Sequence, residues 1–282
     1  MRDFFYGWYL KCQSDKQTLA VIPAIHQTGR KRTCSIQIIT DEDVWIVEVS
    51  AKESRHVGKH RMIMGKNFFG KRGIRLAVNT PKLSVKGKLV FGPLSPLKYD
   101  IMGPFTLVPF MECRHSVYSM RHSINGTVYI NGQKYAFQNA LGYWEGDRGR
   151  SFPKEYAWTQ CSFQEGSLML SVADIPIAGI HFTGIIGVVL WKGREYRLAT
   201  YLGAKAVCIQ NRTLRIQQRG LELEAKLLEE KGHPLKAPKK GDMVRVIHES
   251  AASRAFYRFR RKGQTLFAFE TEQASFEYEY PS

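Results

Sequence analysis

The 282-residue sequence predicts an all-β protein built from antiparallel strands. Short runs rich in β-branched and aromatic residues follow one another along most of the chain, and turn dipeptides that contain glycine separate them. Apolar and polar residues alternate with a period of two in many of these runs. Segments with helical periodicity are scarce. This repeated pattern is typical of hairpins in antiparallel sheet and argues against alternating strands and helices.

Five turn dipeptides mark the expected hairpins. Asn131-Gly132 is the strongest of these signals, because Asn-Gly adopts the turn that matches the twist of the flanking strands. The weaker signals are Lys86-Gly87, Glu165-Gly166, Lys192-Gly193 and Lys262-Gly263. Each of the five is expected to join two consecutive strands.

Two segments have some helical character, and we interpret both as strands. Residues 221–231 have a helix-forming composition, but their apolar and charged residues alternate strictly, which favours a strand. Residues 175–190 are largely apolar, yet they fall short of the ~20 residues that a membrane-spanning helix needs. They also contain Pro176, His181 and three glycines. We expect two buried strands joined by a bend, in a soluble chain.

The length is sufficient for two domains of ordinary size. Residues 92–109 contain four prolines and form the expected connection, and a long strand pattern follows from residue 110 to residue 124. The predicted division is therefore an N-terminal half of residues 1–124 and a C-terminal half of residues 125–282.

The formal net charge of +17 indicates attraction to anionic partners, such as nucleic acid, an acidic membrane surface or anionic small molecules. Residues 52–75 carry eight Lys or Arg against one acid. The five cysteines are widely spaced and form no Cys-x-x-Cys pair, so neither a disulfide framework nor a structural zinc site is expected. Because no signal-peptide pattern is visible, we expect a cytoplasmic protein. The basic surface is expected to contact an anionic membrane peripherally.

One segment, residues 141–161, combines aromatic rings with charges. It holds two Trp, two Tyr and one Phe beside three acids and two arginines. Carboxylates among aromatic rings suit acid chemistry on an apolar substrate, because burial favours the neutral acid. In a regular strand Tyr143, Glu145 and Asp147 share one face, and Trp144 lies on the other. On the next run the shared face carries Tyr156, Trp158 and Gln160.

The strand pattern at residues 112–122 is polar on both faces, so one of them is expected to line a cavity that holds a ligand. Tyr118 and His122 share one face and His115 lies on the other. Because the two histidines have opposite parity, they are not expected to share a metal ion. Either histidine has the ordinary pKa of a proton carrier near neutral pH. The sequence contains no HExxH, P-loop, GxSxG or GxGxxG motif, which removes the common hydrolase and nucleotide-binding interpretations.

Several blocks of the sequence resemble the tocopherol cyclase family. They are FFYGWYLK at residues 4–11, MGPFTLVPFMECRHSVYSMRH at 102–122, YWEGDRGRSFPKEYAWTQC at 143–161 and SLMLSVADIPIAGIHFTGIIGVVLWKGREYRLATYLG at 167–203. The Glu-x-Asp-Arg-Gly-x-Ser-Phe-Pro segment is the most specific. No transit-peptide pattern precedes the first block, so the similarity is greater to bacterial members of the family than to the plant plastid enzyme.

The resemblance implies two lipocalin-like antiparallel β-barrel or sandwich halves packed together, a fold shared with carotenoid hydratases and certain fungal cyclising enzymes. It also implies a reaction, in which protonation of a double bond closes a chromanol ring on a prenylated hydroquinone. Such a cyclisation needs a protonated carboxylic acid, aromatic faces beside the developing cation, a proton acceptor and a dry cavity. It requires no metal, nucleotide or redox cofactor.

We expect an intramolecular lyase whose partner is a hydrophobic small molecule such as a prenylated quinol. Glu145 is the leading candidate for the proton donor, followed by Asp147 and Asp174. The candidate ligand-binding residues are Tyr143, Trp144, Tyr156, Trp158, Gln160, His115, Tyr118 and His122.

Several alternatives stay open at this point. Glu145 and Asp147 could form an ion-pair cluster with Arg148 and Arg150 at a barrel rim, and Asp174 could be a simple turn residue. The same barrel could carry a prenyl lipid without converting it. Nucleic-acid binding, suggested by the FYRFRRK run at residues 256–262, is the least favoured alternative.

Overall fold

The computed structural model of the chain describes residues 3–108, 111–177, 180–229, 233–239 and 242–281. It confirms the all-β prediction, because two antiparallel sheets contain nearly all of the regular structure. The chain folds into two compact units. The first comprises Met1–Leu97, His115–Ser151 and Pro238–Val244, and the second comprises Lys98–Arg114, Phe152–Ala237 and Arg245–Ser282. Whether residues 1–124 and 125–282 form separate folding halves stays a prediction.

The sheet of the first unit has eleven strands. Their bounds are β1 Phe4–Gln13, β2 Thr18–Thr28, β3 Lys31–Thr40, β4 Val44–Val49, β5 Ser54–His56, β6 Arg61–Met64, β7 Asn67–Gly70, β8 Gly73–Asn79, β9 Ser84–Phe91, β10 Cys113–Ile130 and β11 Gln133–Gly149. The spatial order is β4-β3-β2-β1-β11-β10-β9-β8-β7-β6-β5. The first and last strands therefore pair at the middle of the sheet.

The second sheet repeats this arrangement with ten strands. Their bounds are β12 Tyr156–Phe163, β13 Gly166–Ile177, β14 Ile180–Trp191, β15 Arg194–Ala199, β16 Lys205–Gln210, β17 Thr213–Gln218, β18 Leu221–Glu229, β19 His233–Lys239, β20 Asp242–Arg261 and β21 Gln264–Tyr278. The order is β15-β14-β13-β12-β21-β20-β18-β17-β16, and β19 pairs with β20. Here too the first strand pairs with the last.

Helical structure in the described residues is limited to short 3₁₀ turns. They span Ala51–Glu53, Gly58–His60, Gly103–Leu107 and Thr200–Leu202. None of the helices in the described part of the chain has the length and apolar character needed to cross a membrane. The strand prediction for residues 221–231 is confirmed over 221–229 by β18, which packs Leu223, Ala225 and Leu227 into the core of the second unit, and residues 230–231 lie outside the described part of the chain.

Three of the five predicted turn dipeptides join consecutive strands, and at Glu165-Gly166 the turn lies one residue earlier, at residues 164–165, because Gly166 begins β13. Asn131 and Gly132 have φ values of 49° and 86° between β10 and β11, the left-handed pair that an Asn-Gly hairpin turn requires. The Lys86-Gly87 prediction is wrong, because both residues lie inside β9. At Gly87 a Cβ would come within 2.2 Å of the Thr127 carbonyl oxygen on β10, so this glycine permits a close backbone approach and not a turn.

Strand β11 changes the face that it turns to the core. Before Asn139 the core residues are Tyr135 and Phe137, and after it they are Ala140 and Trp144. Asn139 itself has a positive φ of 49°, and its N–H donates to the side-chain oxygen of Asn125 at 2.8 Å. One residue has thus been inserted into the alternation, as in a β-bulge.

Candidate active site

The bulge at Asn139 decides the direction in which the acidic residues of β11 point. With Trp144 in the core of the first unit, Tyr143, Glu145 and Asp147 project from the opposite face of the sheet. Tyr143 and Glu145 are nevertheless buried, at 1% and 4% exposure. In the structure these three residues share one face of β11, as the alternation of a strand predicts.

His115 of β10 lies between the two carboxylates. Its Nδ1 is 2.9 Å from Asp147 Oδ1, and its Nε2 is 3.0 Å from Glu145 Oε2. On the other side of Glu145, the Tyr143 hydroxyl donates a hydrogen bond of 2.5 Å to the same Oε2 atom. The side chain of Asp147 is 23% exposed, whereas that of Glu145 is 5% exposed. We call these four residues the His115 cluster.

Burial alone would lower the pKa of His115, since it disfavours the imidazolium. The negative charges of Glu145 and Asp147 outweigh burial, and together with hydrogen bonds from the ring they raise the pKa well above its usual value. His115 is therefore a cation at neutral pH. Burial and the neighbouring Glu145 raise the pKa of Tyr143, so its phenol stays protonated. The cluster therefore places a positive imidazolium between two carboxyl groups, beside a protonated phenol.

Strand β1 supplies the neighbours of this cluster on the same face. Tyr9 lies directly opposite Glu145, Lys11 opposite Tyr143 and Gly7 opposite Asp147 in the β1–β11 register. Lys11 is only 1% exposed. A lysine side chain is thus buried on the strand that pairs with the acidic strand, directly opposite Tyr143.

The other face of β10 and β11 carries an aromatic group inside the core of the first unit. The Trp144 ring lies 5.0 Å from Trp8, 4.8 Å from Tyr118 and 5.8 Å from His60, measured between ring centroids. His122 also belongs to this side, where it packs 4.5 Å from the Phe91 ring. Burial lowers the pKa of His122 to about 4, so this histidine is neutral.

Gly146 of β11 lies beside this aromatic group. A Cβ at Gly146 would come within 2.6 Å of Trp8 Cδ1 and 2.8 Å of the Gly7 carbonyl oxygen. Gly146→Ala is therefore expected to lower the free energy of unfolding by about 1–3 kcal/mol, measured by urea denaturation. Gly7→Ala serves as the comparison, because its nearest contact would be Ala24 Cβ at 3.3 Å. Equal unfolding midpoints for the two variants would contradict this packing argument.

The second unit carries the remaining candidates of β12. Tyr156, Trp158 and Gln160 are buried on the face of β12 opposite to its core residues Ala157 and Cys161. The Tyr156 hydroxyl donates to Glu277 Oε2 of β21 at 2.5 Å, and Gln160 Nε2 donates to Ser162 Oγ at 3.0 Å. Their part in ligand binding stays a prediction.

Asp174 of β13 pairs with His181 of β14. Asp174 Oδ2 lies 2.5 Å from His181 Nδ1, and the side chains are 31% and 63% exposed. This carboxylate is thus more solvated than Glu145. An exposed pair of this kind suits local stabilisation of the hairpin better than protonation of an apolar substrate.

A family model described as tocopherol cyclase-like matches residues 81–278, a span that includes the whole His115 cluster. The chain belongs to the tocopherol cyclase-like family. A search of curated proteins finds no match.

This member of the family has the fold of several solved structures. CghA matches with a TM-score of 0.65 at 9% identity, over 99% of this chain and 88% of CghA. The kievitone hydratase of Nectria haematococca gives a TM-score of 0.53 at 10% identity, over 99% and 89%. An AttH-like protein of Nitrosomonas europaea gives 0.58 at 9%, over 100% and 93%. Similarity at this level of identity shows the fold alone.

Sequence reasoning placed Glu145 and Asp147 correctly with Tyr143 but missed two groups. It treated His115 as a lone histidine, whereas the structure places it between both carboxylates. It also gave no role to Lys11. In the FFYGWYLK block, strand alternation places Lys11 on the same face as Tyr9 and on the opposite face from Trp8. The pairing of β1 with β11 brings this face to the cluster, and no local signal predicts such a pairing.

The His115 cluster also has the donor types that bind divalent cations. His115, Glu145 and Asp147 each offer one ligand atom, and these atoms lie within 4.8 Å of one another. The two carboxylates, however, face different nitrogens of a single ring. A cation on either nitrogen would replace one of these ion pairs, whereas a second proton on the ring satisfies both.

Proposed function

We propose that the chain catalyses a cofactor-free, acid-initiated cyclisation of a prenylated hydroquinone to a chromanol-type ring. The fold and the family support binding of a small hydrophobic substrate. The observation that carries the proposal further is the buried His115 cluster, in which two carboxyl groups, an imidazolium and a phenol are linked by short contacts. A proton can be held and given there by side chains alone.

Glu145 is the proposed proton donor. In its protonated form it transfers the proton to the alkene, so that a new C–H bond forms and the neighbouring carbon becomes a tertiary cation. The carboxylate that remains accepts the Tyr143 hydrogen bond and lies 3.0 Å from the imidazolium Nε2 of His115. Both groups stabilise the charge that appears as the proton leaves, and they are already in position before the step.

The tertiary cation is then captured by the phenolic oxygen of the same substrate. The new C–O bond closes the ring, and the phenol loses its proton. Asp147 is the proposed acceptor, because it is the more exposed carboxylate of the cluster and its Oδ1 contacts His115 Nδ1. Asp147, the more exposed carboxylate, then returns this proton to solvent, and uptake of a proton from solvent by Glu145 restores the donor. No atom is gained or lost overall, so the reaction is an isomerisation.

The rings of Tyr9 and Tyr143 lie on the face of the cluster and are proposed to stabilise the cationic intermediate. A cation over an aromatic face gains about 0.5–2 kcal/mol, depending on its desolvation. Burial of Tyr9 at 7% and Tyr143 at 1% exposure supports the water-poor environment that keeps a carbocation from being hydrated.

Incubation with a prenylated hydroquinone in D₂O tests this proposal. The expected product is an isomer of the substrate in which one carbon-bound deuterium replaces one hydrogen, at the position where the alkene was protonated. In H₂O the product has the mass of the substrate itself. Mass spectrometry and proton NMR of the extracted lipid report both outcomes.

The matched control is the same incubation with the isolated substrate and no protein. Substrate that copurifies with the protein but returns unconverted, with no carbon-bound deuterium, would contradict the cyclase proposal and favour a lipid carrier. A product heavier by one water would instead indicate hydration of the cation.

A further inference from the structure

A second site of different chemistry lies in the first unit, away from the His115 cluster in sequence. It is a groove of about 830 Å³ formed by the loop before β6, the β7–β8 turn and strand β9. Six cationic side chains line it, namely Lys59, Arg61, Lys71, Arg72, Arg75 and Lys88. All six are exposed to solvent. We call it the basic groove.

The positive charge of the basic groove is not neutralised within the protein. Its lining, as far as the structure describes the chain, includes no acidic residue, and none of the six cations forms an ion pair in the described ranges. The ring of His60 at the same groove has a lowered pKa, first because of burial and then because of the charges of Lys71 and Lys59. A positive potential therefore extends through the groove.

Two of these cations face each other across a strand pair. Arg75 of β8 lies directly opposite Lys88 of β9 in the sheet register. Like charges at directly opposed positions destabilise an antiparallel pair, and the described lining of the groove offers no carboxylate to relieve this one. An anion placed between the two side chains would remove the repulsion. Arg75 and Lys88 are thus placed to bind an anion together, and without a bound anion their repulsion destabilises the strand pair.

The walls of the groove are apolar. Phe68, Ile74 and Leu89 line it together with the exposed side chains of Val57 and Val90, which are 44% and 45% exposed. Arg61 lies 5.8 Å from the centre of the Phe68 ring, so cations and apolar surface alternate within the site. A small inorganic anion would leave this apolar surface in water, whereas an amphiphile with an anionic head would cover both parts.

We propose that the basic groove binds the phosphate headgroup of an anionic membrane lipid and docks the protein on an anionic membrane surface. The six cations contact the phosphates, and Val57, Phe68 and Val90 contact the first carbons of the lipid chains. This proposal does not depend on the reaction at the His115 cluster. A carrier and a cyclase would use the groove in the same way.

Vesicle cosedimentation tests the groove. The full chain is expected to bind vesicles of phosphatidylcholine mixed with phosphatidylglycerol and to leave vesicles of pure phosphatidylcholine unbound. The double variant Arg75→Gln/Lys88→Gln is expected to bind the anionic vesicles about thirtyfold more weakly, because it removes two cations near the surface. Its thermal unfolding midpoint is expected to be equal or higher, since the repulsion between the two side chains is gone.

The control is the variant Lys31→Gln/Lys134→Gln, which removes the same charge from exposed positions of the first unit outside the groove. It is expected to bind anionic vesicles within about twofold of the wild-type chain. Equal weakening by both double variants would show that net charge alone acts, and would overturn the assignment of the groove. Three further results would overturn the lipid assignment: equal binding of the wild-type chain to neutral vesicles, inorganic phosphate binding without vesicle binding, or binding of a single-stranded oligonucleotide in place of vesicles.

Discussion

Glu145→Gln is expected to lower the turnover of a prenylated hydroquinone by a factor of about 100 to 10,000, with substrate binding retained. The amide cannot give up a proton, but it keeps the shape of the carboxyl group. Its oxygen can still accept the hydrogen bond from Tyr143. The measurement is kcat and KM with the purified variant, with near-ultraviolet circular dichroism to establish the native fold.

Glu195→Gln is the matched control for this variant. Glu195 is also a poorly exposed carboxylate, at 10% of its side chain, and it forms a 2.7 Å ion pair with Arg197. Replacement of a buried, paired carboxylate by an amide is therefore common to both variants, whereas contact with His115 is not. Full turnover by Glu145→Gln would rule out Glu145 as the donor. Equal loss in both variants would point to a general structural effect.

A second readout separates the role of Glu145 from that of a merely structural acid. After burial, the charge of Glu145 is the largest influence on the pKa of His115, and it raises that pKa. The pKa of His115 is therefore expected to fall in Glu145→Gln, as followed by NMR of the imidazole carbons. An unchanged pKa would contradict the contact between these two residues.

His115→Gln is expected to lower the free energy of unfolding by about 3–5 kcal/mol at neutral pH. Loss of the imidazolium leaves Glu145 and Asp147 near each other without the cation that lies between them. Urea denaturation, with equal slopes for the two proteins, provides the measurement. A loss below about 1 kcal/mol, the value of an exposed ion pair, would contradict a buried charge cluster.

The same variant tests the protonation state of His115. The folded-state pKa of His115 is raised above its ordinary value of 6.5, so its protonation contributes stability that is fully present below pH 6.5. This contribution is lost as pH rises from 6.5 through the folded-state pKa. Across that window the wild-type chain is expected to lose about 1.4 kcal/mol per pH unit relative to His115→Gln. Parallel stability curves would mean that the ring is neutral in the folded protein.

The double variant His115→Gln/Glu145→Gln serves as the control for both measurements. Removal of the Glu145 charge relieves the repulsion that His115→Gln creates, so the double variant is expected to be more stable than His115→Gln alone. Stability losses that simply add would contradict direct interaction between the two side chains.

Much of the fold could be predicted because its signals are local. Asn131-Gly132 requires two left-handed residues, and only a tight hairpin turn uses them in this way. The strict alternation at residues 221–231 is a better guide than their helical composition, because β18 buries only one face and alternation marks that face. Lys86-Gly87 misled because a glycine also permits close backbone contact between strands, and sequence alone does not separate the two uses.

The candidate site could be predicted only within one strand. The alternation of Tyr143, Trp144 and Glu145 follows from strand geometry, so the separation of the acid from the core tryptophan was accessible. The contact between Glu145 and His115 could not be predicted in this way. A regular hairpin around Asn131-Gly132 would place His115 opposite Arg148, on the face of Trp144. The residue inserted at Asn139 instead places His115 on the same face as Glu145, and no pattern in the sequence predicts this insertion.

The bulge at Asn139 has a consequence for how this strand could have evolved. Insertion of a single codon into a plain hairpin reverses the facing of every later residue, while the turn at Asn131-Gly132 and the core residues Tyr135 and Phe137 stay as they were. One event of this kind moves Glu145 and Asp147 out of the core in a single step. A deletion at the same codon would bury both acids in apolar surroundings. A change in chain length, which a substitution cannot reproduce, therefore determines whether Glu145 and Asp147 contact His115 or lie in the core.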